Sequence, residues 1–196
     1  NAILGLRFEK FDLVYTGESQ VRGTFDNEKI LDKADFFPSA NFIYDLDEDA
    51  NKKLRVSYSR TTARPSFKEA SIAEIFDPVS STFFFFFIDL QPTYINNFDL
   101  RFESYGEGTN FFAVSGFYKT FQDPIELSFI REARGQFIPL NLGDATVFGA
   151  ELEIRKNLGF LPGWKNFNLN FNLSLIESQQ NFSEDEREAR EDNIRE

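Results

Sequence analysis

From Phe167 to Leu175 the residue type switches at every step: Phe167, Leu169, Phe171, Leu173 and Leu175 are apolar, and Asn168, Asn170, Asn172 and Ser174 are polar. A helix would spread these two sets around its circumference, whereas an extended chain places them on opposite faces. The segment is therefore a strand lying between two different environments. The same period recurs upstream. Phe148, Ala150, Leu152 and Ile154 alternate with Gly149, Glu151, Glu153 and Arg155, and Phe98, Leu100 and Phe102 alternate with Asn97, Asp99, Arg101 and Glu103. Leu54, Val56 and Tyr58 alternate with Arg55, Ser57 and Ser59, and Phe42, Tyr44 and Leu46 with Asn41, Ile43 and Asp45. Near the start Leu4, Leu6 and Phe8 carry the apolar set, then Phe11, Leu13 and Tyr15 do, a change of parity that predicts a bulge near Lys10. With the run Phe111 to Phe121, about seven strands result, and the fold class is all-β and antiparallel.

Several of these strands approach the roughly 9 to 11 residues that a tilted strand needs to cross a bilayer. Mean hydropathy is −0.38 and no apolar run approaches the length of a membrane helix, which excludes spanning helices but not a strand barrel, whose lipid-facing residues are interleaved with polar ones. The connections alternate in length. Residues 47–52, 105–110 and 158–165 read as short turns, and residues 17–35, 64–93 and 124–146 as long loops. Short turns on one side and long loops on the other describe an up-and-down transmembrane β-barrel. An odd strand number leaves an open edge, so further chain is expected on both sides, and the targeting signal is expected outside this piece. Residues 1–178 read as the barrel segment, and 179–196, with Ala189 and Ile194 the only apolar residues after Ser183, as an acidic extracellular loop or tail.

Composition then removes chemistries. There is no His, Cys or Met, which excludes zinc fingers, thiolate clusters, Cys nucleophiles and Ser-His-Asp triads. With 21 basic and 32 acidic residues the net charge is −11, so nucleic acid is not a partner. Carboxylates alone could hold a hard cation or act as an acid and base pair. Glu151 and Glu153 sit two apart on one strand face, but neighbouring Arg155 reads as charge balance. No catalytic residue, metal or cofactor is assigned, and the chain is not read as an enzyme. Two glycosylation sequons, at Asn172 and Asn181, are set aside, the first because it lies within a strand.

Phe37-Pro38-Ser39-Ala40-Asn41 and the run Leu54 to Glu69, which contains Arg60-Thr61-Thr62-Ala63-Arg64-Pro65-Ser66-Phe67, resemble the barrel of TonB-dependent outer-membrane receptors, particularly the Bacteroidota kind. Leu90-Gln91-Pro92-Thr93-Tyr94, Phe117-Tyr118-Lys119, Asp123-Pro124-Ile125-Glu126 and Gly149-Ala150-Glu151-Leu152-Glu153-Ile154 follow in the family's order, so the resemblance covers most of residues 1–178. It departs at Phe83 to Phe87, five phenylalanines where the family shows a Gly-Asn-Pro-like element. Burial is the preferred reading of that run, over an aromatic ligand pocket. The resemblance implies part of a barrel of about 22 strands in the bacterial outer membrane, importing a scarce extracellular ligand. Implied partners are the TonB complex, reached through N-terminal regions outside this piece, outer-membrane lipid, an unknown ligand and, as an option, a surface lipoprotein.

In that setting Asn97, Asp99, Arg101, Glu103, Glu151, Glu153, Arg155, Asn168, Asn170 and Asn172 face the lumen, as hydrogen-bonding scaffold in preference to a substrate path. Ligand contacts are expected in the long loops, with Arg64, Phe67, Phe85, Gln91, Glu126 and Arg131 as candidates. Tyr44, Tyr58, Tyr105, Tyr118, Phe160 and Trp164 read as an interfacial aromatic girdle more readily than as a sugar-stacking platform. Three alternatives stay open at the level of sequence: a passive outer-membrane channel, a soluble β-sandwich binding module and a carboxylate-based hydrolase.

Overall fold

A computed structural model describes residues 1–19, 23–70, 74–79, 82–85, 89–129, 136–164, 166–182 and 187. Its strands are β1 (Ala2–Ser19), β2 (Gly23–Asp45), β3 (Lys52–Ala63), β4 (Glu74–Asp77), β5 (Thr82–Phe85), β6 (Thr93–Tyr105), β7 (Phe111–Gln122), β8 (Ile125–Phe129), β9 (Gln136–Asn141), β10 (Ala145–Asn157) and β11 (Asn168–Gln180). Seven form one antiparallel meander, in the order β1-β2-β3-β6-β7-β10-β11, and the other four form a small sheet in the order β4-β5-β9-β8. The strand count and the up-and-down order of the large sheet are those the alternation predicts. The run Phe111 to Phe121 lies within β7.

The cross-strand register sorts the large sheet into two faces. One row of directly opposed residues runs Tyr44, Leu54, Phe102, Val114, Leu152, Leu173, and the next runs Phe42, Val56, Leu100, Gly116, Ala150, Leu175. A third row is aromatic, with Tyr58, Phe98, Tyr118 and Phe148 side by side, and the row after it turns polar at Arg60, Asn96, Thr120 and Thr146. The Tyr58 hydroxyl reaches across this boundary and donates to Asn96 Oδ1 at 3.0 Å. A ring whose apolar body sits below and whose hydroxyl sits above such a boundary is what an interfacial girdle requires. On β2 the apolar face extends from Phe36 to Tyr44, about 27 Å of strand, or about 21 Å along the bilayer normal at a 40° tilt. Among the described residues nothing covers it: Leu4 is 74% exposed and Leu175 65%. In water a face of this extent exceeds the few hundred Å² that soluble monomers leave open. The opposite face carries the Asn, Asp, Glu, Arg and Ser residues of the same strands.

The small interior lies elsewhere. Leu13, Leu31 and Ala70 are buried together, with Phe11 packed against them. β1 and β2 pair without interruption from Ala2 opposite Phe42 to Leu13 opposite Leu31, so the bulge expected near Lys10 is not there; the register shifts come later, between Leu13 and Val14 and between Tyr15 and Gly17. The parity change has a different cause. Above the row of Phe8 and Phe36 the formerly apolar face becomes Lys10, Asp12 and Asp32, while Phe11 and Leu13 take the other face and pack against Leu31.

Two further expectations change. Residues 17–35 are not a long loop, because β1 and β2 continue to pair as far as Ser19 opposite Gly23. Their polar composition marks a hairpin in water. Phe167 precedes β11 and belongs to the turn, its ring 5.0 Å from that of Trp164. The three short turns close as predicted, with Gly108 and Gly163 supplying positive φ of 66° and 85°. The two long connections hold β4, β5, β8 and β9, and meet through a parallel pairing of Phe83 with Gln136 and Phe84 with Phe137. Phe83 stacks tilted on Phe76 at 4.8 Å and Phe84 on Phe137 at 5.6 Å, so the described part of the phenylalanine run is strand; Phe86 and Phe87 lie outside the described residues.

Candidate functional site

The polar face of the large sheet is organised around one buried carboxylate. Glu103, on β6, is 6% exposed, and its two oxygens accept from Arg55 Nε at 2.9 Å, Arg101 Nε at 2.8 Å and the Tyr105 hydroxyl at 3.1 Å. Arg101 also reaches Glu153 at 3.1 Å, and Arg155 closes the chain of charges on Glu153 at 2.6 Å. The ladder therefore runs Arg55, Glu103, Arg101, Glu153, Arg155 and ties β3, β6 and β10 together. β7 lies between β6 and β10, and it permits the bridge because it supplies Ala113 and Ser115 there, opposite Glu103 and Arg101. A larger side chain at Ala113, which is 0% exposed, would block the path of Arg101. Desolvated charges are tolerable only when paired and hydrogen-bonded, and this ladder meets that condition.

The remaining polar-face candidates join the same surface. Ser57 donates to Asp99 at 3.3 Å and Ser115 to Glu151 at 3.4 Å, while the Asn97 amide donates to the Ser59 carbonyl at 3.3 Å. Asn168 accepts from Thr109 and from Asn157, both at 3.0 Å, next to the turn. Asn170 and Asn172 stand opposite Arg155 and Glu153 in the register. Arg101, Glu103, Glu153, Arg155, Asn168 and Asn170 line a cleft of about 640 Å³ at the turn end. Further along, Gly149 lies opposite Phe117; a Cβ there would come within 2.5 Å of the Leu175 carbonyl oxygen and 2.7 Å of the Phe117 ring, so glycine admits both the close neighbouring backbone and that ring, with Lys119 Nζ 5.5 Å above it.

The loop candidates divide into anchors and exposed groups. Arg64 pairs with Glu9 and lies over the Phe11 ring at 4.8 Å, which makes it a clamp between β3 and β1. Gln91 exchanges two hydrogen bonds with the Asn141 side chain, its N–H donating to Oδ1 at 2.8 Å and its carbonyl accepting from Nδ2 at 2.9 Å. Phe67 is 81% exposed. Glu126 is on β8, Phe85 ends β5, and Arg131 lies outside the described residues. On the hairpin above the apolar band, Lys29 bridges Asp32 and Asp12, the latter at 2.9 Å. Hydrogen bonds from Lys29 and Asp32 hold the Asp12 carboxyl below its ordinary pKa, and bonds to Asp32 and then Asp12 raise Lys29. Among the described residues no group of three or more carboxylates is arranged to hold a metal ion. Glu151 and Glu153 take different partners: Glu153 is bound by two arginines, Glu151 by a serine. The Asn141 clasp and the Arg101 bridge are what sequence reading missed, since both join segments far apart in the chain.

No curated protein sequence matches this chain. Solved structures do. The copper transporter OprC aligns with a TM-score of 0.65 at 20% identity, over 91% of this chain and 26% of that one. The Serratia marcescens hemophore receptor HasR, solved in complex with its hemophore HasA and heme, aligns with a TM-score of 0.65 at 12% identity, over 92% of this chain and 30% of that one. The siderophore receptor PirA from Pseudomonas aeruginosa aligns with a TM-score of 0.60 at 15% identity, over 75% and 29%. These likenesses show the fold, and the chain spans less than a third of the length of each. The sequence model of the family described as TonB dependent receptor-like, beta-barrel, matches residues 1–194, and with one apolar and one charge-laddered face on an antiparallel meander, the chain belongs to that family.

Proposed function

We propose that this chain is a wall segment of an outer-membrane TonB-dependent receptor that binds a scarce extracellular ligand and imports it, with the apolar face toward lipid and the charged ladder toward the lumen. The observation that carries the reading is the family match across residues 1–194 on a sheet whose two faces are suited to lipid and to a polar interior. A siderophore receptor, a copper transporter and a hemophore receptor share the fold, which supports ligand import as the class of activity. The ladder Arg55 to Arg155 acts as scaffold, because each charge in it already has its partner within the wall. The apparatus that binds is the pair of long connections, residues 64–92 and 123–144, joined through β5 and β9. Energy comes from the TonB complex, engaged by parts of the receptor outside this segment, and the work is conformational.

The test is uptake by Gram-negative cells carrying the full-length receptor. Replacing residues 64–93 by a tight turn removes uptake while the barrel still assembles, and deleting the host's TonB removes uptake with the loops intact. Uptake that persists without TonB identifies a passive channel instead.

A further inference from the structure

The apolar face of the large sheet is not flat. A groove of about 530 Å³ opens on it beside the aromatic row, with Gly116 of β7 as its floor and Phe98, Leu100, Tyr118 and Phe148 as its walls. The floor is low because position 116 carries no side chain, and the packing of the sheet does not require that. Gly116 is outside the left-handed region, and a Cβ built on it would meet nothing closer than the Gly149 carbonyl oxygen at 3.8 Å. A glycine inside a strand weakens the strand, so this one costs stability without relieving a clash. What it leaves is an opening in the apolar band, continuous with the face already turned to lipid.

Above the groove one charge is left over. In the polar row past the rings, Asn96 accepts from the Tyr58 hydroxyl and donates to Thr120 Oγ1 at 3.3 Å. Arg60, at the β3 end of that row, lies over the Tyr94 ring at 4.9 Å and has no carboxylate partner among the described residues. The Tyr94 hydroxyl donates to Asp35 at 2.9 Å, so that carboxylate is already engaged. Glu177, level with the aromatic row, stands four strands from β3, about 19 Å away. Arg60 is four residues up β3 from Val56, which shares the row of Gly116, so it lies about 13 Å along the strand and about 10 Å to the side of the groove floor. One lipid spans that separation between its phosphate and an acyl chain. We propose that the groove is a binding site for a single anionic phospholipid, with an acyl chain over Gly116 and the phosphate on Arg60. This rests on the reading of the apolar face as lipid-facing.

The experiment is native mass spectrometry of the full-length receptor in detergent, titrated with phosphatidylglycerol, with parent and variant mixed in one sample so that their tightest-held lipid is compared directly. Arg60→Gln weakens that phosphatidylglycerol about fivefold and leaves phosphatidylcholine, which carries its own cation beside the phosphate, unchanged. Gly116→Leu fills the groove and weakens both lipids. Gly116→Ala, for which the sheet has room, weakens them less and keeps the comparison valid should the leucine variant fail to assemble. Inorganic phosphate displaces neither lipid, because the chain is part of what is bound. The proposal is overturned by equal phosphatidylglycerol binding in the parent and Arg60→Gln, by binding unchanged in the Gly116 variants, or by displacement with inorganic phosphate. Quenching of labels along β11 by brominated lipid reads the orientation of the face independently, so the site and the lipid-facing reading fail separately.

Discussion

Placing an arginine at Leu173 tests the assignment of the apolar face most sharply, because the register fixes its depth. On β11 the apolar face is bounded at one end by Leu169, which stands opposite Lys156, and at the other by Glu177, opposite Phe148. Leu173 is four residues from each, about 14 Å along the strand and about 10 Å along the normal at a 45° tilt. It therefore sits at the middle of the band, opposite Leu152 and in the row with Val114 and Phe102. At the bilayer midplane Leu173→Arg costs about 2 to 4 kcal/mol, whereas Leu169→Arg, near the boundary and beside Lys156, costs about 0 to 1 kcal/mol. Asn172→Arg faces the other way, opposite Glu153, and costs less than about 1 kcal/mol. The measurement is equilibrium urea unfolding of the full-length receptor in lipid vesicles, comparing the three variants with the parent. Equal costs at Leu173 and Asn172 refute the face assignment. A cost at Leu169 as large as at Leu173 refutes the depth.

Other consequences follow from the same geometry. Glu103→Gln removes the charge shared by Arg55 and Arg101 and lowers stability by about 1 to 3 kcal/mol; a double-mutant cycle with Arg55→Met gives a coupling of the same sign if the ladder is real. Ala113→Leu blocks the passage of Arg101 over β7, and its destabilisation shrinks when Arg101 is already Met. At the hairpin tip the sign of the pH effect is fixed by Asp12 and Lys29. Asp12 is held low, so its contribution is present above its ordinary pKa and is lost as pH falls through the lowered value; Lys29 is held high, so its contribution fades only as pH rises through the raised value. Amide hydrogen exchange across residues 12–32, corrected for intrinsic rates, is then faster at pH 3 than at pH 7. Gly149→Val collides with the Leu175 carbonyl and the Phe117 ring and slows assembly, measured as the heat-modifiable fraction on a gel.

How much of this was legible in the sequence depends on how far each feature is from its neighbours. β11 and β10 alternate without exception over their apolar stretch, so strand, faces and pairing could be read directly. β1 alternates too, but its apolar set changes face at Phe11, and a rule that expects one apolar face for a whole strand reads that as a bulge. In the structure the pairing is uninterrupted there, and the change of face brings Phe11 and Leu13 against Leu31 and Ala70. Residues 17–35 look like a loop because Glu18, Asp26, Asn27, Glu28 and Lys29 are polar; the hairpin is solvated, and the backbone pairs regardless. Phe83 opposite Gln136 and Arg101 reaching Glu153 join positions about fifty residues apart, and no local period encodes them. The ladder residues were legible as one polar face; that Glu103 would be its buried centre was not, since this depends on small residues in β7.

Because the segment contains no cysteine, single cysteines placed through residues 168–175 of the full-length receptor are unique within it and report each position separately. In vesicles, a fluorophore on residues 169, 171, 173 and 175 should be quenched by brominated lipid, most strongly at 173, while residues 168, 170, 172 and 174 should be shielded from that lipid. The account predicts a period of two with this phase. Uniform quenching along the strand, or quenching at the asparagine positions instead, would contradict it.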